Sequence, residues 1–439
     1  MEIEEYIKRR QNLQSFLLKY LEYVDENEED YQIFINLLEE QRIRESPNDL
    51  KELLNLIVSI ANNHHKEYNL IEKLQKIILF LKDDIKSNFL RTDIFHIFKS
   101  NKLILLFLFE KNVLPLSKYI MHVLTQKKYV ENNYTQFFAP ELKKFIEKAE
   151  LFDEFDEKWK DKPEEFEENR KKGENEDLIC QIIRDDSIDI FISHVSQNQM
   201  PLRSNIKRSI FEMNKSLTVP KKPLNVPKPQ YFTRVVPDEK VVTLIEYTAF
   251  FGSIQIFKYL YLNENSLLES SIWPYAMHSN NPELINFIVE NKIVPYNDCY
   301  MKSFLEALKC HHNDVANYIY ENYLKKWQLD DIKIFRKSLK YYNFVFMKNK
   351  FNDLHSFYFL CKYNYVSLVE LLLKEKKVDV NYVIISKLIL FLMTFLFAFI
   401  ANIIPKNINL KLCFIFVFFL NDVFLTFFFI MFLIKLIFK

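Results

Sequence analysis

The fold is decided by the stretch LCKYNYVSLVELLL at residues 360–373. Asn364 tolerates the left-handed backbone conformation that ends many helices, so it separates two short segments. The second segment places valine and leucine at the three- and four-residue steps of an apolar helix face. The pattern predicts two short helices joined by a tight turn. Such a pair cannot bury its apolar face alone and needs neighbours of the same kind.

The same pattern recurs upstream at intervals near the period of a helix–turn–helix repeat. Its copies are DSIDIF at 186–191, GSIQIFKYL at 252–260, NNPELINFI at 280–288 and HHNDVANYI at 311–319. Gly252 lies 66 residues, twice 33, after Asp186, and the later steps are 28, 31 and 53 residues. A period near 33 is typical of helical hairpins that stack into a solenoid. A single globular helical core is the alternative.

Two of these stretches resemble the ankyrin repeat. TLIEYTAFFG at 243–252 is similar to the T-P-L-H-x-A-A-x-x-G half, with Leu244 for Pro and Glu246 for His. The stretch 360–373, followed by VDVN at 378–381, resembles the A-A-x-x-G-x-x-x-V-V-x-L-L-L … D-V-N half. Asn or His replaces the turn glycine in three copies, and FY at 357–358 stands where Leu-His is expected.

Residues 1–382 as a whole resemble the large family of degenerate ankyrin-repeat proteins with a domain of unknown function in trichomonad-like protists. YTAFFG at 247–252 and CHHND at 310–314 carry this likeness, which covers about 180–381. The resemblance implies a binding scaffold and provides no catalytic or cofactor-binding residues. The residues expected to form the structural repeat signature are Thr243, Ala249, Gly252, Leu260, Asn280, Leu284, Ile288, Asn364, Leu368, Val369, Leu371, Leu372, Asp379 and Asn381.

Composition excludes several classes of protein. The 439 residues include only two glycines, Gly173 and Gly252. Rossmann, P-loop and protein-kinase phosphate loops need several glycines close together, so these classes are excluded. Hairpin turns of all-β folds also depend on glycine, which disfavours them. The net charge of +1 gives no overall signature of nucleic-acid binding. We therefore expect an all-α protein.

No familiar catalytic or metal-binding motif occurs in the sequence. It lacks G-x-S-x-G, and acid pairs such as Glu164-Glu165 lie in a solvated charged stretch. Cys310-His311-His312 suggests a metal, but metal ligands converge from two elements and only Cys299 lies nearby. We expect these side chains to be structural, and we predict no enzyme activity, no cofactor and no metal. Five widely spaced cysteines without C-x-x-C favour a reducing compartment.

Residues 1–150 are predicted to form a helical N-terminal region. Helical patterns run through 70–81, 94–109 and 117–124. SPND at 46–49 marks a helix start, with a capping Ser, a Pro in the first turn and an acid near the positive helix end. The pattern leaves open whether this region joins the solenoid or forms a separate bundle.

Two stretches of opposite charge follow. Residues 151–177 are predicted as a charged linker or solvated helix, since 150–177 hold 13 acids and 6 bases. The degenerate ankyrin-like domain spans 178–330 and is interrupted by a Pro-rich basic loop at 201–238. Within it, 203–234 carry eight Lys or Arg against one Glu. We expect this loop to face an acidic helix, and we consider nucleic-acid binding unlikely.

The last repeat occupies 331–382, and the sequence then becomes strongly apolar. Segments 383–404 and 412–434 are each long enough to cross a bilayer as a helix, and a short loop would join them as a hairpin. Lysines outside the pair outnumber those in the loop, which places both termini in the cytoplasm. Asp422 lies near the middle of the second segment, where an ionisable residue is by default a functional candidate. A hydrogen bond to a neighbouring Asn is the simpler interpretation.

These patterns predict a non-enzymatic ankyrin-type scaffold that holds an unidentified protein on its repeat surface. Residues 383–434 would tether it to a membrane, with the repeats and both termini cytoplasmic. One alternative is a soluble ankyrin-like protein that binds nucleic acid or anionic lipid through 203–234, the tail being a gene-model artefact. One span followed by an interfacial helix is a second interpretation of the tail. A component of a transporter or channel acting through Asp422 is the third hypothesis.

Overall fold

The computed structural model describes residues 2–375 except for 23–27, 65–68, 128, 130–132, 148, 218–241, 264–271, 296–299, 326–330 and 348–353. This part of the chain is mostly helical and contains no strand, which confirms the all-α prediction. Within it, no helix combines the length and the apolar character that crossing a bilayer requires. The two apolar segments at 383–434, with Asp422, lie outside the described residues, as do Asp379, Asn381 and most of the basic loop.

The N-terminal region is a bundle of helices. They are α1 (Glu2–Glu22), α2 (Glu28–Glu40), α3 (Pro47–Asn63), α4 (Leu70–Phe80), α5 (Lys82–Asn88), α6 (Arg91–Phe98), α7 (Lys102–Glu110), α8 (Lys118–Leu124), α9 (Tyr134–Phe137) and α10 (Ala139–Leu142). The predicted start of α3 is confirmed, because the Ser46 hydroxyl accepts a hydrogen bond from the Asp49 backbone N–H. The helix expected over 94–109 is two helices, since Asn101 caps a new one.

The acidic stretch folds into two short helices after a 3₁₀ turn at Ala149–Leu151. These are α11 (Asp153–Trp159) and α12 (Pro163–Lys172). Trp159 and Phe166 are buried, and both rings contact Phe211 from the start of the basic loop. The stretch is therefore more than a solvated face, because it carries aromatic side chains into the core of the N-terminal region.

Residues 178–375 form consecutive helical hairpins. The pairs are α13 (Leu178–Arg184) with α14 (Ile188–Gln197), α15 (Leu244–Phe251) with α16 (Ile254–Asn263), α17 (Ile272–Ser279) with α18 (Pro282–Glu290), α19 (Met301–Lys309) with α20 (Asn313–Ile319) and its π turn (Tyr320–Leu324), α21 (Asp331–Tyr341) with a 3₁₀ turn (Phe344–Phe346), and α22 (Leu354–Lys362) with α23 (Val366–Lys374). Each first helix packs against the first helix of the next pair, from α13 to α22.

The turn inside each hairpin has one backbone geometry. Its central residue has a positive φ, at Asp186 (47°), Gly252 (72°), Asn280 (49°), His311 (61°), Tyr342 (56°) and Asn364 (61°). Except after Asn280, the next residue donates its backbone N–H to the carbonyl five residues earlier, as in a Schellman helix end. The turn at Tyr342 lies 31 residues after His311. It therefore divides the 53-residue interval between the turns at His311 and Asn364 that the sequence pattern left unexplained.

The residue that follows the central turn residue ties its hairpin to the preceding one. The contacts are Ser253 Oγ to Ile183 O (2.5 Å), Asn281 Nδ2 to Gly252 O (2.9 Å), His312 Nδ1 to Met277 O (2.7 Å), Asn343 Nδ2 to Leu308 O (2.9 Å) and Tyr365 Oη to Leu339 O (2.9 Å). The accepting carbonyls lie at the ends of the first helices, where no further intrahelical N–H is available. We call this row of five contacts the turn ladder.

The N-terminal region packs against the end of the array of hairpins. Helix α1 contacts α23 and the 3₁₀ turn, and α3 also contacts α23. Gln14 accepts a hydrogen bond from the Phe344 N–H, and Ser367 donates one to Asp49. One hydrophobic cluster extends from the N-terminal helices into α21–α23, while a second fills α13–α20. Residues 2–142 are therefore joined to the last hairpins by a continuous core.

Candidate functional site

A cluster of chemically active side chains lies beside the turn ladder. His278 comes from the last turn of α17, Glu306 from α19, and Cys310 directly follows α19. Glu306 and Cys310 are four residues apart, so they project from one side of the helix end. His278 and Cys310 are fully buried, and Glu306 is mostly buried. We call these three residues the His–Glu–Cys cluster.

The three side chains are in direct contact. His278 Nε2 lies 2.6 Å from Glu306 Oε1, and Cys310 Sγ lies 3.2 Å from His278 Nδ1. The imidazole stacks on Phe250 with ring centroids 4.5 Å apart, which holds its plane. One ligand-type atom from each residue falls within 4.8 Å of the others. Two neighbouring hairpins therefore bring a nitrogen, an oxygen and a sulfur together in a buried space.

Lys309 supplies positive charge to the cluster. Its Nζ lies 2.6 Å from Glu306 Oε1 and 3.2 Å from Ser216 Oγ. The Ser216 hydroxyl is also 3.5 Å from the same carboxylate oxygen and 3.4 Å from His278 Nε2. The ammonium and the carboxylate balance each other, so the buried group as a whole is close to neutral.

Burial and charge determine how these groups titrate. Burial lowers the pKa of His278 below its ordinary value, although Glu306 acts in the opposite direction. Burial alone would raise the pKa of Glu306, but His278 and Lys309 together hold it well below the usual range. Burial raises the pKa of the Cys310 thiol well above its ordinary value, and the charge of Glu306 adds to this. At neutral pH the thiol and the imidazole are therefore uncharged.

The order Cys–His–carboxylate resembles a nucleophilic triad, but the surroundings do not suit one. Nucleophilic catalysis needs a thiolate, and burial keeps Cys310 protonated. The sulfur lies 3.2 Å from one ring nitrogen of His278 and 3.9 Å from the other, so it faces the ring and is not in line with a lone pair. A substrate would also have to reach a fully buried sulfur. We assign the cluster no catalytic role.

The two histidines after Cys310 contact other groups. His311 Nδ1 lies 3.1 Å from Gln14 Nε2 of α1. The His312 ring meets the edge of the His64 ring at 4.8 Å, and His64 Nδ1 lies 2.7 Å from the Cys310 carbonyl. His64 follows α3, so the sequence Cys310-His311-His312 connects the array to α1 and α3. Both histidines therefore take part in contacts between the hairpins and the N-terminal helices.

The predicted repeat-signature residues that the structure describes lie within the hairpins. Thr243 caps α15 in a capping box with Glu246. Gly252, Asn280 and Asn364 are the central residues of turns. The apolar members are buried or, for Leu371, partly buried, namely Ala249, Leu260, Leu284, Ile288, Leu368, Val369, Leu371 and Leu372. These residues therefore cap helices, form turns or pack in the core of the hairpins.

A second polar feature is a cleft of about 380 Å³ between α1 and the segment that joins α2 to α3. It is lined by Tyr6, Arg9, Arg10, Gln41, Arg42, Glu45, Ser46 and Asp49. Arg10 Nη2 lies 2.6 Å from Asp49 Oδ1, and Arg10 Nε lies 3.6 Å from Glu52 Oε2. Burial raises the pKa of Glu52 to about 7 despite the opposing charge of Arg10. Acids accompany the arginines, so we interpret the cleft as part of a buried ion-pair network.

Sequence reasoning considered Cys310 but missed His278 and Glu306. His278 precedes Cys310 by 32 residues, close to one repeat, so stacking brings the two side by side. The spacing of Glu306 and Cys310 on a helix was readable, and a histidine one repeat earlier would have completed the signal. Cys299, the neighbour considered from the sequence, lies outside the described residues.

Comparison with known proteins identifies no relative of this chain. No protein-family model matches the chain, and neither a curated protein nor a solved structure does.

Proposed function

We propose that this chain is a non-enzymatic scaffold in which stacked ankyrin-type hairpins bind another protein. The observation that carries the proposal is the ordered packing of the first helices from α13 to α22, with the same turn geometry in each hairpin. Stacked hairpins bury a continuous core and leave an extended surface of exposed side chains. The ankyrin-like stretches at 243–252 and 360–373 support the same interpretation.

The proposed binding surface includes the second helices of the hairpins. Three of them expose a large apolar side chain: Ile190 on α14 (57% exposed), Leu262 on α16 (73%) and Tyr318 on α20 (37%). Val294, 53% exposed, follows the second helix α18. Apolar and aromatic side chains on an exposed surface are the anchors from which protein interfaces gain most of their binding energy.

The test is affinity capture with the full chain, followed by the variant Ile190→Ser/Leu262→Ser/Tyr318→Ser. We expect the captured protein to be lost with this variant at unchanged helix content. Leu90→Ser/Phe145→Ser is the control, because Leu90 (73% exposed) and Phe145 (63%) are also exposed apolar side chains but lie in the N-terminal region. Equal capture by both variants would refute binding through the second helices.

We further propose that residues 383–434 tether the scaffold to a membrane, with the hairpins on the cytoplasmic side. The support is the apolar composition of the two segments and the excess of lysines outside them. Fractionation of the full chain against a chain truncated after residue 382 tests this proposal. We expect only the full chain in the membrane fraction, and if both forms stay soluble the tether does not exist.

Binding of nucleic acid or anionic lipid by 203–234 is the alternative function. We favour it less, because Lys207 Nζ lies 3.7 Å from Asp177 and Arg208 donates a hydrogen bond to Asn133. Replacing Lys207, Arg208, Lys221, Lys222 and Lys228 by Ser would test it. Salt-dependent binding that disappears in this variant would favour the alternative.

A further inference from the structure

We propose that His278, Glu306 and Cys310 form a binding site for a zinc-class transition-metal ion, which competes with the Lys309 ammonium for the Glu306 carboxylate. The proposal reverses our expectation from the sequence. It is independent of the partner-binding surface, because the cluster is buried between α17 and α19. A metal there would bridge two neighbouring hairpins.

The ligand set decides the class of metal. An imidazole nitrogen, a carboxylate oxygen and a thiolate sulfur are the ligands that zinc takes in proteins. A sulfur ligand selects borderline or soft cations and disfavours Mg²⁺ and Ca²⁺, which take oxygen ligands. The three ligands come from two helices, and Glu306 and Cys310 share one helix end. The fourth position of a tetrahedral ion would face the Ser216 hydroxyl, which lies 3.4 Å from His278 Nε2.

Two of the distances are near those of a metal site, but the His278 ring must turn, because a metal on Nε2 lies in the ring plane and the Cys310 sulfur lies over the ring face. Metal–ligand bonds of about 2.0–2.3 Å place two ligands of one tetrahedral ion about 3.3–3.7 Å apart. His278 Nε2 lies 3.9 Å from Cys310 Sγ, close to this range. The same nitrogen lies 2.6 Å from Glu306 Oε1, so these two atoms must separate as an ion enters between them. Metal binding would therefore turn the His278 ring out of its stack on Phe250 and move the Glu306 carboxylate away from Nε2.

The charges of the cluster indicate that the Lys309 ammonium and a metal ion compete for the Glu306 carboxylate. The cluster is now neutral, with one carboxylate opposite one ammonium. A divalent ion with Glu306 and an ionised Cys310 is also neutral, but the ammonium would then be in excess. Lys309 must leave Glu306 for solvent, and its side chain is 14% exposed and so close to the surface. Binding also releases the Cys310 proton, so affinity should rise with pH.

The experiment titrates the full chain, first treated with a chelator, with Co²⁺ and then with Zn²⁺. We expect one Co²⁺ per chain, with visible bands of tetrahedral intensity and a thiolate-to-cobalt charge-transfer band in the near ultraviolet. Excess Zn²⁺ should abolish both signals, and excess Mg²⁺ should not. Cys310→Ser should remove the charge-transfer band and weaken binding at least tenfold, and His278→Gln should weaken it similarly.

Cys180→Ser is the matched control, because Cys180 is an equally buried free cysteine on α13, outside the cluster. It should leave the spectrum unchanged. Lys309→Met separates binding from folding, since loss of the competing ammonium should raise the Co²⁺ affinity, and a misfolded chain would not gain affinity. No charge-transfer band in the parent, the same band in Cys310→Ser, or no gain in Lys309→Met would each overturn the proposal.

Discussion

Asn343→Ala should lower the free energy of unfolding by about 3–5 kcal/mol, because Asn343 joins the turn ladder to the N-terminal region. Its amide nitrogen donates to Leu308 O at 2.9 Å and to Asn313 Oδ1 at 2.8 Å. Its amide oxygen accepts from Gln14 Nε2 at 3.2 Å and from the Val345 N–H at 3.3 Å. The side chain is fully buried, so water cannot replace it at no cost.

The magnitude follows from the hydrogen bonds that are lost. Truncation removes four hydrogen bonds, and at about 0.5–1.5 kcal/mol for each the loss centres on about 4 kcal/mol. The Leu308 carbonyl and the Gln14 amide keep their contacts with His311, so neither is left without a partner. The cavity left by the amide adds to this loss. Together these contributions give the expected range.

Urea unfolding followed by far-ultraviolet circular dichroism measures the effect. Asn322→Ala is the control, since Asn322 is exposed and its side chain donates only within its own helix, to Tyr318 O. It should change stability by less than about 0.5 kcal/mol. If Asn343→Ala also stays within about 1 kcal/mol of the parent, the turn ladder does not hold the array to the N-terminal region.

Further predictions address other parts of the fold. Gly252→Ala should cost about 1–2 kcal/mol, measured by thermal unfolding, because Gly252 has φ 72° and a Cβ there would lie 3.1 Å from Asn281 Cβ. Arg10→Met should cost about 3 kcal/mol by leaving a buried ion-pair network incomplete. Arg42→Met, which removes an exposed pair with Glu45 at 4.0 Å, should cost less than about 0.5 kcal/mol. Burial lowers the pKa of His311 to about 3, so stability should fall as pH decreases below about 6.5, where only the unfolded chain binds the proton. His311→Asn should make this decline shallower by up to about 1.4 kcal/mol per pH unit, and an unchanged slope in urea midpoints would contradict the prediction.

The hairpins were predictable because their signal is local. Apolar residues at helical steps predict each helix, and Gly252, Asn280 and Asn364 mark turns by residue types that tolerate a positive φ. Tyr342 was missed because a bulky aromatic residue rarely adopts this conformation. The second segment of its hairpin is a 3₁₀ turn, Phe344–Phe346, and not an amphipathic helix, so periodicity gave no signal there.

The contacts of the N-terminal region could not be predicted in the same way. Gln14, Ser59 and His64 meet residues that lie about 250–330 positions later in the chain. No pattern within one segment indicates such pairings. The His–Glu–Cys cluster was less predictable than the hairpins but more predictable than the contacts of the N-terminal region. His278 lies about one repeat before Glu306 and Cys310, so the repeat period together with the residue types contained the information, although neither did alone.

The shortage of glycine accounts for the weak repeat signature. The turn ladder does not depend on the turn residue, since its contacts also follow Gly252, Asn280 and Asn364. A turn residue with positive φ costs about 1–2 kcal/mol when it is neither Gly nor Asn, so the turns at His311 and Tyr342 need compensation from the fold. That compensation is visible next to them. His311 contacts Gln14 of α1, and Ser59 of α3 donates a hydrogen bond to the Tyr341 carbonyl. These are also the hairpins nearest the N-terminal region, where α1 and α3 cover the turns. At His311 and Tyr342, contacts with the N-terminal helices therefore accompany turn residues that lack the conformational freedom of glycine.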